Sequence, residues 1–476
     1  MCIFYWHSVL FCVIMILRCN KLVTEVLYLM KIKRQIVITL LILIIAVLLT
    51  GCLRITADDL YSLPEVSEEY LRLQAYINVL LSQGAEFAPP TGGPNRQAVQ
   101  LVDLNDTGTS EVIAFFSIPG ESTLRVYIFE LVDGDYAVAD IIEGVGTEIQ
   151  SVRYVDMNGN GIKELVIGWQ MGSALRYMSI YSLSGLHSQA LVSGIEYTDI
   201  AVYDMTGDGT DDVITFMLPT TEAGAIAEVF SLMQDGEIIK EEARLSGGIE
   251  TISRIFAGRL LDGTPALYID SEGSFENGSL VTDVLAKQRG ELENISLVMA
   301  SGVSEGNVRH RMASSDINKD GIVKVPSLRL LIAQSETEYF AIDWYAFRSS
   351  GQSSLILTTY HNNFDEWFLI LPFDWRDKVS VRREDAVPGE RTIIFSYFTD
   401  ASGPHVDFLK IHKLSGESAE ERATQDGRVL LLKEGTAAYA YEILMPPDSF
   451  GITFNEALIR ENFRLIYSDW LTGSAT

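Results

Sequence analysis

Short apolar runs, each introduced by a cluster of Asp, Asn, Thr and Gly, recur along most of the chain. "EVIAFF", "ELVIGW" and "DVITFM" carry apolar residues at successive positions rather than in alternation with polar ones. That pattern predicts short strands covered on both faces. In the first unit it places four strands at about Ala98–Leu104, Glu111–Ile118, Leu124–Leu131 and Tyr136–Ile142, with a turn at "VDGDY" between the last two. Ahead of them, "LPEVSEEYLRLQAYINVLLSQG" predicts a helix. Ser67 caps it, Glu68 and Glu69 occupy its first turn, and Gly84 ends it. Its apolar stripe of Leu71, Ala75, Ile77, Leu80 and Leu81 is expected to pack on the strands. Beyond about residue 360 further strand runs follow ("EWFLILP", "RTIIFSYF", "DFLKIHKL", "RVLLLKEG", "AYAYEILM"), and "NEALIRENFRLIYSDW" predicts a closing helix.

The polar clusters are in phase. Their first positions fall at Asp103, Asp156, Asp204, Gly258 and Asp316, at intervals of 53, 48, 54 and 58 residues. A period near fifty points to arrays or propellers. Four-stranded sheets packed face to face around an axis would cover both faces of each strand and protect the edges. The expected fold is therefore all-β: a β-propeller of about six or seven blades with one helix at each end. A parallel solenoid would want shorter turns, and a βαβ array would need a helix between strands. The strands after residue 360 are either closing blades or a small α+β domain.

The chemistry sits in the loops. The first carries Asp103, Asn105, Thr107, Gly108 and Glu111; the second Asp156, Asn158, Asn160, Gly161 and Glu164; the third Asp204, Thr206, Asp208, Gly209 and Asp212. Near residue 316 the pattern returns as Asp316, Asn318, Asp320 and Gly321, with Lys324 where an acid is expected. Side-chain oxygens at positions 1, 3, 5 and 9, with a glycine at 6, form an oxygen-rich turn of the kind that holds calcium. Asp, Asn and Gly also build metal-free Asx-turns, so one such loop alone would decide nothing; three in phase favour Ca2+ in a structural role. Strand, acidic loop and strand at this period resemble the FG-GAP (or VCBS) repeats of integrin-α-type propellers, over roughly residues 95–330. The resemblance implies the same ligand positions for calcium. The lost ligands at Gly258 and Leu260 and the lysine at 324 depart from it.

The N-terminal end points to export. From Met30, a basic segment (Lys31, Lys33, Arg34) precedes an apolar run from Ile36 to Leu49 and then Leu49-Thr50-Gly51-Cys52. The run is short for a membrane span, and the whole has the form of a secretory signal whose end resembles the lipobox of bacterial lipoproteins. Cys52 is the expected lipidated first residue, which would place the protein on the extracytoplasmic face of the cell membrane. The expected organisation is a leader over 1–51 (true start Met30), a tether and helix over 52–90, propeller repeats over 91–360, and terminal strands and helix over 361–476. All four cysteines (Cys2, Cys12, Cys19, Cys52) lie at or before the cleavage point, which excludes an internal disulfide, a catalytic thiol and a cysteine zinc site. Loss of residues 1–51 removes five Lys/Arg and one acid, leaving 31 basic against 63 acidic side chains. Such a surface repels nucleic acid and anionic headgroups and attracts divalent cations.

No catalytic motif stands out. His187, His310, His361, His405 and His412 form no close ligand pair, and there is no nucleophile elbow or phosphate loop. His405 and His412 read as solvent or turn residues; Trp344, Tyr345, Trp367 and Trp375 read as core before a sugar-binding surface. Two functions stay open. One is a non-enzymatic surface lipoprotein whose calcium-stabilised propeller binds an extracellular protein or glycan. The other is an envelope carbohydrate-active enzyme, a lyase or hydrolase, on the same scaffold.

Overall fold

The computed structural model describes residues 68–466, apart from 119, 121–122, 174, 219–223, 276–278, 310–311, 333–336, 386 and 447–448. The leader, Cys52, Ser67 and His310 therefore lie outside the described residues. Among the described residues no helix is long and apolar enough to cross a membrane. The chain divides into two units, 1–75 and 76–476, and helix α1 (Glu68–Ser82) runs through the boundary. In α1 the buried positions are Leu73 and Ile77, whereas Leu71 is 51% exposed and Ala75 is also exposed. The expected stripe is thus shifted: the i, i+4 pair that is buried begins at Leu73 and leaves out two of the residues assigned to it.

The second unit is mainly β. Six antiparallel sheets follow one another in chain order among the described residues. The first holds β1 (Glu86–Phe87), β2 (Val99–Val102), β3 (Glu111–Ser117), β4 (Thr123–Val132) and β5 (Asp135–Val145), with β1 and β2 sharing one edge of β3. The second runs β6 (Glu148–Val155), β7 (Glu164–Met171), β8 (Leu175–Ser182), β9 (Gln189–Glu196). The third runs β10 (Asp199–Tyr203), β11 (Asp212–Met217), β12 (Ile226–Leu232), β13 (Ile238–Arg244), and the fourth β14 (Ile249–Arg259), β15 (Pro265–Gly273), β16 (Leu280–Gln288), β17 (Glu291–Asn294). The fifth contains β18 (Val325–Leu330), β19 (Phe340–Phe347), β20 (Ser353–Asn362) and β21 (Trp367–Leu371). The sixth contains β22 (Val379–Glu384), β23 (Glu390–Tyr397), β24 (Val406–Ser415), β25 (Val429–Glu434) and β26 (Ala437–Ile443), ordered β22-β23-β24-β26-β25. The short helix α2 (Ala419–Arg422) lies between β24 and β25.

The consecutive apolar residues have their explanation in the stacking. Leu165 and Ile167 pack with Ile113 and Phe115 of the first sheet, while Val166 between them packs with Val213 and Phe230 of the third. Ile214 and Phe216 then meet Leu267 and Ile269 of the fourth. Tyr268 and Val284 meet Val325 and Phe347 of the fifth, and Tyr360 and Leu369 meet Ile393 and Leu409 of the sixth. Each middle strand thus supplies a core on both faces. On the other face of the first sheet, Tyr76 of α1 stands edge-on to Phe129, ring centroids 5.4 Å apart. This succession of face-packed sheets, three of four strands and three of five, is propeller-like.

The C-terminal end departs from expectation. Among the described residues of this stretch, which end at 466, only Glu456–Asn462 is α-helical (α3), capped by Asn455 Oδ1, which accepts the Leu458 N–H. The continuation Phe463–Leu465 is β27, paired with β21 of the fifth sheet. Phe463 and Leu465 are buried in the core between the fifth and sixth sheets, and that burial outweighs the helical periodicity.

Candidate metal-binding loops

The loops expected to hold cations join β2 to β3, β6 to β7 and β10 to β11, and they share one hydrogen-bond pattern. The first-position aspartate accepts N–H groups from the far side of its own loop. Asp103 takes Thr107 N and Gly108 N at 3.1 and 2.9 Å. Asp156 takes Gly159, Asn160 and Gly161 N at 2.8, 3.2 and 2.9 Å, and Asp204 takes Gly207 and Gly209 N at 2.6 and 3.0 Å. The ninth-position acid reaches back to the second-position N–H: Glu111 to Leu104 at 2.9 Å, Glu164 to Met157 at 3.1 Å, Asp212 to Met205 at 2.8 Å. Turning the loop this tightly needs a left-handed sixth residue, met by Gly108, Gly161 and Gly209 with φ of +80°, +81° and +92°.

The remaining positions complete each ring. Asn105 Nδ2 donates to Glu111, Asn158 and Asn160 accept backbone N–H groups, and Thr206 donates to Asp204. Thr107 Oγ1 lies near Thr109 N, and Asp208 Oδ1 accepts from Thr210. Three acids are driven inside: Glu111 is 4% exposed, Glu164 and Asp212 1% each. Burial raises the pKa of Glu164 and of Asp212, and the nearby charges of Asp156 and Asp208 add to it. These are carboxylates with a deficit of positive charge.

The loop at Asp316 shows what fills that deficit. Asp316 accepts Asp320 N and Gly321 N at 3.0 and 2.8 Å, as in the other loops. The ninth position is Lys324, whose side chain is fully buried. Its ammonium meets Asp316 Oδ1 at 3.2 Å together with Asn318 Oδ1 and Asp320 Oδ1. A cation therefore stands on positions 1, 3 and 5, and it belongs to the chain. Asp316, Asn318 and Asp320, assigned to metal on sequence grounds, already hold this ammonium, and a dication would have to displace it.

Whether the first three loops fit a metal is tested by the same geometry. Their side-chain oxygens occupy the positions that hold Lys324 in the later loop, and Asn105 Oδ1 is a buried acceptor with no hydrogen-bond partner. Oxygen donors of this kind suit Ca2+, although among the described residues no three acids or histidines stand together as a metal-holding group. The fourth loop keeps only Asp262, which Ser349 N and Oγ tie to the fifth sheet, both at 2.8 Å. Burial pushes Asp262 up, but these bonds and those from Thr264 outweigh it and hold its carboxyl at about 2.

The loops touch in order. Lys163 N and Nζ bond Leu104 O and Asp103 O, both at 2.8 Å. Gly159 lies against Thr210, and Gly207 against Pro265. Arg259 forms a parallel bridge with Ile322. Four hairpin connections and the loop before β18 thus form one row.

Several of the remaining candidates are structural. Trp344, Trp367 and Trp375 are at most 1% exposed. His412, expected in solvent or a turn, is buried on β24 beside Thr392, while His405 Nδ1 pairs with Ser380 Oγ at 2.7 Å. Sequence reasoning missed a buried polar network in the fourth sheet, where Asp270 bonds Arg309, Thr282 and Ser314 and Asp283 bonds Ser246 and Ser304. Its directly bonded members lie up to 58 residues apart, so no local spacing announces it.

No protein-family model and no curated protein matches the chain. Among solved structures, it is similar to a candidate 6-phosphogluconolactonase from Bacteroides uniformis (TM-score 0.27, 13% identity, covering 67% of this chain and 86% of that one). A second, from Bacteroides fragilis, aligns with TM-score 0.23 and 11% identity over 68% of this chain and 92% of that one. These scores are too low to carry an activity across.

Proposed function

We propose that this protein is a bacterial surface lipoprotein, anchored through Cys52, whose FG-GAP-like propeller is stabilised by calcium and serves as a binding module for an extracellular protein or glycan. The observation that carries the calcium reading is Lys324. One loop of the row places an ammonium among the oxygens at positions 1, 3 and 5, and the three loops with an acid at position 9 offer the same oxygens without that cation. Calcium there ties the end of one strand to the start of the next, at affinities of roughly 0.1–1 mM typical of extracellular modules.

Among the described residues, Trp344, Trp367, Trp375 and His412 are buried in the core, and the acidic loops are engaged in their own turns. The decisive experiment pairs calorimetry with a binding array. About three calcium ions per chain and a glycan or cell-surface protein captured by the purified protein would support the reading. Absence of bound calcium together with glycan cleavage would replace it with a carbohydrate-active enzyme.

A further inference from the structure

In the sixth sheet β22 and β23 follow one another as first and second strand, as do the strands flanking the acidic loops in the first three sheets. Cations gather beside this pair. A cleft of about 480 Å3 opens there, lined by Phe364, Arg383, Asp385, Glu390, Arg391 and Lys413 among others. Three cations line one cleft in a chain of net charge −28.

The partners of these cations define what the cleft would accept. Arg383 is paired with Asp385, Arg391 with Asp365 through Nε, and Lys413 with Glu366. Glu390 is held by Arg428 at 2.6 and 3.1 Å. Four cations and four acids cancel, so the cluster is neutral. Yet among the described residues the two terminal nitrogens of Arg391 meet no hydrogen-bond acceptor. A guanidinium edge with open donors matches a carboxylate fork. A singly charged anion suits a neutral cluster better than a dianion, whose second charge would have no counterpart.

The second feature is Phe364, at the tip of the β20–β21 turn. It is 65% exposed, although the guanidinium carbons of Arg383 and Arg391 lie 4.9 and 4.6 Å from its ring centroid. A fixed aromatic plate beside an open guanidinium presents an apolar surface and an anion site together. Arg391 and Lys413 stand on β23 and β24, whose backbones are already paired on both edges. Of the strands carrying these cations only β22, with Arg383, lies at a sheet edge, so Arg391 and Lys413 offer a peptide no free edge. Its volume lies in the range of small-ligand sites.

We propose that this cleft binds a uronate unit of an acidic polysaccharide, the carboxylate on Arg391 and Lys413 and the C–H face of the sugar ring on Phe364. This deepens the binding-module reading and rests on it. The test is calorimetric titration of the full-length protein in detergent with oligogalacturonate, its methyl ester, a neutral oligoglucan and poly-glutamate. Oligogalacturonate is expected to bind, and loss of the charge-assisted contacts should weaken the methyl ester by about tenfold or more. Phe364→Ala and Arg391→Lys are each expected to weaken binding by about tenfold. Arg383→Gln serves as a second guanidinium variant should Arg391→Lys disturb Asp365. No binding of oligogalacturonate, equal binding of the ester or of poly-glutamate, or unchanged affinity in Phe364→Ala would overturn the inference. Capture of a different ligand on the array, insensitive to Phe364→Ala, would remove this cleft and leave the binding-module reading standing. An empty array together with no oligogalacturonate binding would remove both.

Discussion

Lys324 shows how much one side chain decides. Its buried ammonium satisfies three oxygens that would otherwise face one another without a cation. Removing one partner of such a group costs more than the pair contributes, although Asp316 and Asp320 keep some solvent, with side chains 22% and 36% exposed. Lys324→Ala is expected to lower stability by about 1–3 kcal/mol in chelator. Millimolar calcium is expected to restore part of that loss and raise the bound stoichiometry by one; calorimetry and urea unfolding with and without calcium check both. The position of this lysine was legible in the sequence as a departure from the acidic pattern, but its role was not, because a lysine nearby and a lysine at the centre of the loop look the same in a linear chain. His361 gives a second prediction. Burial, with the rings of Trp344 and Phe368 at 6.2 and 5.0 Å, pushes its pKa down to about 3. The unfolded chain takes up a proton near pH 6.5 and the folded one does not, so stability falls as pH drops from 6.5 towards 3, by at most about 1.4 kcal/mol per unit. His361→Leu is expected to remove its share of that limb between pH 6.5 and 4.5 in urea unfolding, while buried His412, also held at about 3, keeps the rest; an unchanged slope would show that the His361 imidazole is not responsible.

At the level of elements, the strands were the legible part. Runs such as "EVIAFF" predicted two covered faces, and β3, β7 and β11 begin at the acid that closes each loop. Legibility ended where distant burial overrode local period, as at Phe463 and Leu465, or where two sheets make one feature, as at the cleft between Phe364 and Arg391. Sheet contacts also fix residues that pattern cannot explain. Gly144 on β5 passes directly over Trp169 of the second sheet: a Cβ there would lie 2.1 Å from the indole ring. Trp169 is fully packed between the two sheets, so it has little room to yield. Gly144→Ala is expected to cost about 1–3 kcal/mol through overpacking, read as a lower denaturation midpoint at unchanged slope. Gly134→Leu lies in open space but at φ +84°. It tests backbone strain without a clash and is expected to cost about 1 kcal/mol.

For the whole molecule, the row of hairpins turns local loops into a collective device. The loops touch one another in order, from Leu104–Lys163 to Arg259–Ile322, so a cation in one stiffens the connection beside the next. A ligand bound only by the folded state stabilises it by about 1.4 kcal/mol per independent site at tenfold saturation. Three such loops would then contribute about 4 kcal/mol, a large share of the stability of an ordinary domain. Calcium at several millimolar is expected to raise the melting temperature by several degrees, with magnesium doing less because it demands tighter octahedral geometry. Asp204→Ala is expected to remove the largest single part of that gain, since its loop carries three carboxylates in its sequence, Asp204, Asp208 and Asp212. Asp316→Ala is expected to leave the calcium response unchanged, because Lys324 rather than an ion occupies that loop. A melting curve that chelation does not move, with no calcium found by calorimetry, would make all of these loops self-bonded Asx-turns and Lys324 the one cation of the row.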